Sequence, residues 1–564
     1  MLLTVAWVEV LLATAIGAMV LLSNYCSPWL FWKKKSPKDS DTAESVQLPQ
    51  KKSKTVQDVP GPLSLPIIGT SWIFFGFGPY HIDKIHEAYK DMKMRYGPVC
   101  KQESYWNWPI ISVFDRSGIE MILKRVSKYP LRPAQEIISH YRQTRTDRYT
   151  NLGLVNEQGV TWQKLRATLT PELTGVKTIL GFFPALNGVT DDFVDLIRNR
   201  RTGCNVIGFE ELAYRMGLES TCMLMLGRHL GFLKPESVGT LTNKLAEAVR
   251  MHFVASRDAF YGFPTWKLYA TSAYKNLTDS EETIYNIISD LIEATIKEHQ
   301  ESAKDESIEA VFLSILREKT LDIRDKRAAI VDFIAAGIHT VGNTLVFLLH
   351  TIGRNPEVRK KLQEEADSLV PPRCDISMGD LKNAKYIRAF ITEVFRRRER
   401  FEKPFIYRDI RYARLVDCEV NEINELFPPP CRLLPTAPCI ARILEESADL
   451  SGYHLKPGTV VLLHTWIAGL DEANFKDADK CIPERWLNPE KYEPHSPLLV
   501  APFGFGRRIC PGKRFVEQAL QLMVAKMVRE FDVIADEELG LQFEYIMAPK
   551  GPVTLSFRDR VDVT

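Results

Sequence analysis

The residues richest in possible chemistry lie near the C-terminal end, in Phe503-Gly504-Phe505-Gly506-Arg507-Arg508-Ile509-Cys510-Pro511-Gly512. Glycines at 504, 506 and 512 permit a tight turn and a close approach of backbone to a flat ligand. The apolar period of residues 514–531 predicts a helix directly behind the turn, so Cys510 precedes a helix N-terminus. There the helix dipole and the unpaired N–H groups lower a thiol's pKa and favour the thiolate, the form that binds metal. Arg508 is placed to meet an anionic group nearby. The competing reading is a buried cysteine that fills space beside a glycine turn. None of the ten cysteines forms a C-x-x-C pair or a dense cluster, and no H-E-x-x-H occurs among the eleven histidines. Neither a disulfide framework nor a zinc site is therefore indicated.

These groups need elements to position them. Residues 328–352 predict a long apolar helix in which Asp332, His339, Asn343 and His350, spaced 7, 4 and 7, share one face. A polar seam of that kind suits a core helix better than a second membrane span. Glu393-Val394-Phe395-Arg396 sets a carboxylate and a guanidinium at i and i+3 on another helix. Ile110-Ile111-Ser112-Val113-Phe114 and Thr459-Val460-Val461-Leu462-Leu463 read as strands. With no internal repeat and no second linker, residues 59–564 are expected to form one large domain, mainly α with small β-sheets.

Of the 564 residues, 45% are hydrophobic and 26% charged, a globular composition. The 73 basic and 71 acidic residues leave a net charge of +2, without the excess a nucleic-acid binder uses to neutralise phosphates, so no nucleic-acid partner is expected. Residues 1–32 are expected to be a membrane anchor: 1–22 are apolar apart from Glu9 and a few threonines, then come Pro28-Trp29-Leu30-Phe31-Trp32 and the basic stop Lys33-Lys34-Lys35. A cleaved secretory signal is the alternative. A mitochondrial presequence should be Arg-rich, whereas the first arginine is Arg95, so this end favours the endoplasmic reticulum. Residues 33–58 are polar and are expected to be a flexible linker, with order beginning at Val59.

The Cys510 stretch matches F-x-x-G-x-R-x-C-x-G at all five specified positions and resembles the cytochrome P-450 superfamily of haem-thiolate monooxygenases. The resemblance implies that fold, a single haem domain, and haem b with Cys510 as axial ligand to iron, cradled by Phe503, Gly504, Gly506 and Gly512. It implies that Trp162 and Arg166, a W-x-x-x-R pair, together with Arg442 and Arg508 bind the haem propionates. Arg485, in Pro483-Glu484-Arg485-Trp486, would join Glu393 and Arg396 in a buried structural network. Ala336-Gly337-Ile338-His339-Thr340 resembles the oxygen-activation motif: Gly337 would let haem and oxygen approach, and Thr340 would donate to bound dioxygen. His339 stands where most relatives have an acid, and is either a proton relay or a core histidine without a role.

The passages 147–159, 169–174 and 335–340 resemble an insect branch of the mitochondrial clan that hydroxylates ecdysone to 20-hydroxyecdysone. This implies a steroid substrate, O2 and an acidic ferredoxin as electron donor, with Arg388, Lys513 and Arg514 as its basic contacts; Thr392, where a second base is expected, breaks the pattern. The flavoprotein reductase of the reticulum is the alternative partner, and the basic residues could instead be a solvated face. The clan implies the mitochondrial inner membrane, against the N-terminal signal for the reticulum. The loop 133–151 would line the substrate pocket. Residues 397–432 depart from the family: removing them would restore Phe395-Arg396-Leu433-Leu434-Pro435, so they are an extruded loop or translated noncoding sequence. Two other functions stay open: a haem-thiolate isomerase needing no electron partner, and a catalytically impaired haem-binding membrane protein.

Overall fold

The computed structural model describes residues 54–125, 127–234, 241–301, 311–371, 374–396, 436–492 and 497–560. The expected anchor 1–32, most of the linker and the segment 397–432 lie outside the described residues. The longer helices are α1 (Ile85–Tyr96), α2 (Glu136–Thr144), α3 (Gly159–Thr174), α4 (Val176–Arg200), α5 (Phe209–Leu226), α6 (Leu241–Tyr261), α7 (Ser272–Glu301), α8 (Ile323–Arg354), α9 (Pro356–Leu369), α10 (Lys385–Arg396) and α11 (Lys513–Glu530). The strands are β1 (Lys54–Thr55), β2 (Val99–Glu103), β3 (Pro109–Val113), β4 (Asn205–Ile207), β5 (Ile440–Ile443), β6 (Ala448–Leu450), β7 (Tyr453–Leu455), β8 (Val460–Leu463), β9 (Phe531–Ile534), β10 (Leu541–Phe543), β11 (Met547–Pro549) and β12 (Thr554–Asp559). They form four small sheets, ordered β1-β7-β6, β10-β11, β4-β12-β9 and β2-β3-β8-β5.

Helix α8 is the axis of the molecule. Asp322 caps it, accepting the Arg324 N–H at 2.9 Å, and it stops at Arg354 because Pro356 excludes helical backbone at Asn355 and then opens α9. It extends beyond the predicted 328–352 at both ends. It is apolar and long enough to cross a membrane, yet most of it is buried in the protein core, with 342–352 wholly enclosed. Its polar seam is used internally: Asn343 donates to the Met547 carbonyl at 3.1 Å, and the His350 ring pairs with the Glu537 carbonyl at 2.9 Å. The two stretches read as strands pair with each other in parallel, Ile110 opposite Val460 through Val113 opposite Leu463. Their apolar side chains Ile111, Val113, Val461 and Leu463 fill a second core beneath that sheet.

Order begins earlier than expected. Lys54 and Thr55, at the end of the polar segment, pair in parallel with Tyr453 and His454, and Asp58 accepts hydrogen bonds from the Thr55 N–H and hydroxyl. A short polar stretch can be recruited as an edge strand because the ladder bonds are backbone bonds, which composition does not reveal.

Candidate active site

The turn before α11 is built on its glycines. Gly504 and Gly506 hold φ of 77° and 70°, a region costly for any residue with a side chain. They fold the chain so that the Cys510 N–H donates to the Phe503 carbonyl at 2.8 Å and residues Gly506–Arg508 make one tight turn. Cys510 is exposed to a recess lined by Arg166, Ala167, Thr170 and Pro171 from α3 and by Lys513 and Arg514. Crowding by protein pushes the thiol's pKa up, while N–H groups of Gly512 and Lys513 and the Arg166 and Arg132 guanidiniums pull it down. An anion-favouring backbone is therefore aimed at a sulfur that faces open space.

Four guanidiniums gather beside it: Arg132, Arg166, Arg442 and Arg508. The guanidinium carbon of Arg508 sits over Trp162, 3.9 Å from the ring centroid, a cation–π contact. Its Nε donates to the Pro130 carbonyl at 2.9 Å and its Nη2 to the Glu157 carbonyl at 2.9 Å and to Gln158 Oε1 at 2.8 Å, while its Nη1 is buried without a partner among the described residues. Arg442 donates to the Phe505 carbonyl at 3.0 Å. Burial, then the neighbouring cations, push Arg508 down to about 9, and burial with Arg132 pushes Arg442 down to about 10. Arginines so depressed are crowded by like charge, and the cluster is incomplete without an anion. Arg132 is the member that sequence reasoning missed. Its one local signal is the flanking pair Pro130 and Pro133, which fixes the backbone but belongs to no spacing motif.

On α8, Ala336 is exposed although most of the helix is buried, and the Thr340 hydroxyl donates to the Ala336 carbonyl at 2.6 Å. Two residues of this helix face its neighbours. Gly337 points at α5 instead of into the cavity: a Cβ there would sit 2.2 Å from Thr221 Oγ1, and one on Gly217 would sit 2.5 Å from the Ile338 carbonyl oxygen. The paired glycines are what let the two helices cross closely. His339 is buried against Tyr214, with ring centroids 4.1 Å apart, and its Nε2 pairs with the Ala246 carbonyl on α6 at 2.7 Å. Burial pushes its pKa down to about 4, so the ring is neutral near pH 7 and its one hydrogen bond runs to backbone. This is the geometry of a core histidine, and the relay reading finds no support in it.

Glu393, Arg396 and Arg485 meet in one fully buried network. Arg396 grips Glu393 through Nε at 2.8 Å and Nη2 at 2.5 Å, Arg485 Nε donates to the same carboxylate at 3.1 Å, and Trp486 Nε1 donates at 2.9 Å. Backbone carbonyls of Gly469, Ala478, Lys476 and Asp477 take the remaining guanidinium protons. Of the basic surface candidates, Arg514 is exposed, Lys513 Nζ lies 3.7 Å from Glu517, and Arg388 spends Nη1 on the Leu381 and Lys382 carbonyls. Arg388 thus closes the turn before α10 as well as carrying charge.

The cytochrome P450 family model matches residues 59–402 and 424–556 of this chain, and the chain belongs to that family. It is a P450 monooxygenase, with haem iron held by a cysteine thiolate and with O2 and a redox partner as co-reactants. The chain is 41% identical over 542 residues, 92% of each sequence, to ecdysone 20-monooxygenase of Drosophila melanogaster. It is 28% identical over 519 residues, 90% of this chain and 96% of the relative, to cytochrome P450 302a1, mitochondrial, of the same organism. To 1,25-dihydroxyvitamin D(3) 24-hydroxylase, mitochondrial, of Mus musculus it is 24% identical over 514 residues, 90% of each. The break in the family match falls inside residues 397–432. The residues at the site fit haem: two propionates and one thiolate answer four crowded guanidiniums, one of which has an unused buried N–H.

Proposed function

We propose that this chain hydroxylates ecdysone at carbon 20, with Cys510 as the axial ligand of its haem. The observation that carries the reading is the 41% identity to ecdysone 20-monooxygenase over 92% of both sequences. Haem bound here supplies dioxygen activation and insertion of one oxygen atom into a C–H bond. The protein does the rest. The N–H groups of Gly512 and Lys513 hold the Cys510 thiolate, and Phe503, Gly504, Gly506 and Gly512 shape the turn that presents it. Arg132, Arg166, Arg442 and Arg508 bind the propionates, with Trp162 fixing the plane of the Arg508 guanidinium. Ala336 leaves room on the open side of α8, and the Thr340 hydroxyl, now donating to the Ala336 carbonyl, is placed to hold a proton at Oγ1.

Electrons come from an acidic ferredoxin that docks on Arg388, Lys513 and Arg514. The location is the mitochondrial inner membrane, a reading supported by relatives named as mitochondrial along 90% of the chain. Residues 1–32 attach the domain to the membrane, and 397–432 interrupt the family register.

The test is turnover of the full chain with ecdysone, O2, NADPH, ferredoxin and ferredoxin reductase, reading formation of 20-hydroxyecdysone. Turnover with flavoprotein reductase alone removes the partner and the location. A sound thiolate-type carbon-monoxide spectrum with no ecdysone product under either donor removes the substrate.

A further inference from the structure

The hairpin of β10 and β11 turns through Tyr545, which holds φ of 76°, a backbone region that strains a residue with a bulky side chain. The proposed hydroxylation makes no use of it. The hairpin is tied to the helix that carries Thr340: the Met547 N–H donates to the Thr436 carbonyl at 2.9 Å, and the Thr436 hydroxyl meets that of Thr344, one turn along α8, at 3.0 Å. The Tyr545 hydroxyl is hydrogen-bonded to the Gln135 side chain, and Arg132 interacts electrostatically with both Tyr545 and Cys510. This phenol therefore stands beside the arginine cluster at the haem site.

From Tyr545 a run of touching rings leads outward. Its ring lies 6.2 Å from Phe260 and 6.4 Å from Phe543, centroid to centroid, and these lie 4.9 and 6.2 Å from Tyr261 at the end of α6. Tyr261 in turn is 5.6 Å from Phe74, and Phe74 is 6.2 Å from Tyr80, which is half-buried in the loop before α1. A tyrosine gives up an electron readily when its proton has a base to go to. Burial pushes the phenols of Tyr545, Tyr261 and Tyr80 up, so each is protonated at rest. Their partners differ. Tyr545 has the Gln135 amide, and Tyr261 has the hydroxyl of Tyr89 at 3.5 Å. Tyr80 donates to the Asp91 carboxylate, which Arg95 holds at 2.6 Å. An ionised carboxylate can accept the proton, so Tyr80 is the member of the run where the loss of an electron and of a proton can be joined.

We propose that Tyr545, Tyr261 and Tyr80 form an electron relay that reduces an oxidised haem when no steroid is present to be oxidised, giving the enzyme a second, protective activity as a peroxidase. The oxidant is hydrogen peroxide, which takes two electrons from the haem site as its O–O bond breaks, and one of its oxygen atoms leaves as water. Two electrons then pass inward along the rings, one at a time. Each time, the Tyr80 O–H bond breaks, its proton goes to Asp91 and from there to solvent, and the Tyr80 radical is restored by a hydrogen atom from an enediol reductant of the ascorbate class. Two protons from solvent complete a second water from the remaining oxygen atom. The sum converts one hydrogen peroxide and one enediol into two waters and one diketone. The relay needs haem at Cys510 and is independent of which steroid the pocket takes.

The experiment mixes haem-loaded full chain, free of steroid, with hydrogen peroxide and freezes it for electron paramagnetic resonance. Wild type should show a tyrosyl radical, identified by the narrowing of its signal when ring-deuterated tyrosine is incorporated. Tyr80→Phe and Tyr261→Phe should each lose the long-lived signal, bleach haem several times faster under peroxide and oxidise ascorbate several times more slowly, with the carbon-monoxide spectrum unchanged. Tyr386→Phe is the control: that hydroxyl also reaches a carboxylate, Glu484 at 3.2 Å, but the residue lies on α10 and is not part of the run, so it should behave as wild type. Should Tyr261→Phe lose haem, Tyr80→Phe, a half-buried site in a loop, carries the same readout. A wild type that forms no tyrosyl radical overturns the proposal, as do a radical and a haem lifetime that Tyr80→Phe leaves unaltered.

Discussion

His339 shows how far a motif carries at the scale of one residue. Its place in Ala336-Gly337-Ile338-His339-Thr340 was legible, but the direction of its ring was not, because Tyr214 and the Ala246 carbonyl that capture it come from helices with no local link to the motif. Two outcomes follow from the buried ring. His339→Gln, which keeps a donor toward Ala246, should leave the share of reducing equivalents lost as peroxide unchanged; a rise would restore the relay. The pH dependence has a definite sign. The folded pKa of about 4 lies below the unfolded value of about 6.5, so the unfolded state takes up the proton first. The contribution is complete above about pH 6.5 and is lost as pH falls toward 4, by at most about 3 kcal/mol. Urea midpoints measured from pH 7 to 5 should fall less in His339→Gln than in wild type. Arg508 offers the opposite case, since its buried Nη1 has no partner among the described residues, as suits the proposed bond to a propionate. Arg508→Met should fold yet release haem faster to an acceptor protein.

Between helices, the crossing of α5 and α8 depends on two glycines facing each other's partners. Gly337→Ala should lower stability by about 1–3 kcal/mol in chemical denaturation, because Thr221 cannot clear a Cβ there without moving α5. Adding Thr221→Ala should recover part of the loss; no recovery would place the strain elsewhere. The Glu393 network is the other element-scale prediction. Glu393→Gln leaves Arg396 and Arg485 buried without their carboxylate and should cost about 3–5 kcal/mol, read as a lost yield of haem-bound protein. That network could be read ahead of any structure because it joins two short motifs, whereas the Lys54–Thr55 strand could not, since its partner lies near residue 453. The cap at Asp322 and the added turns of α8 were missed for a simpler reason: apolar period marks a helix interior and says little about its ends.

For the whole molecule, the proposed ferredoxin partner is tested through the charge of the face around Cys510. Turnover under limiting ferredoxin should fall as salt rises, since exposed charges are screened beyond about 8 Å near physiological ionic strength. Reversing Lys513 and Arg514 to Glu should weaken ferredoxin affinity and leave the spectral response to steroid intact; unchanged affinity would move the docking face. Deleting residues 397–432 rejoins Arg396 to Leu433 and should give equal or better haem incorporation, consistent with a family match that breaks within that stretch. The arginine cluster has a last consequence, in the order of synthesis. Arg508 bonds to Pro130 and Glu157, 378 and 351 positions earlier in the chain. The half of the cradle made first waits for nearly the whole chain to be translated, so haem capture is a late event, and nascent chains halted before the Cys510 turn should carry none.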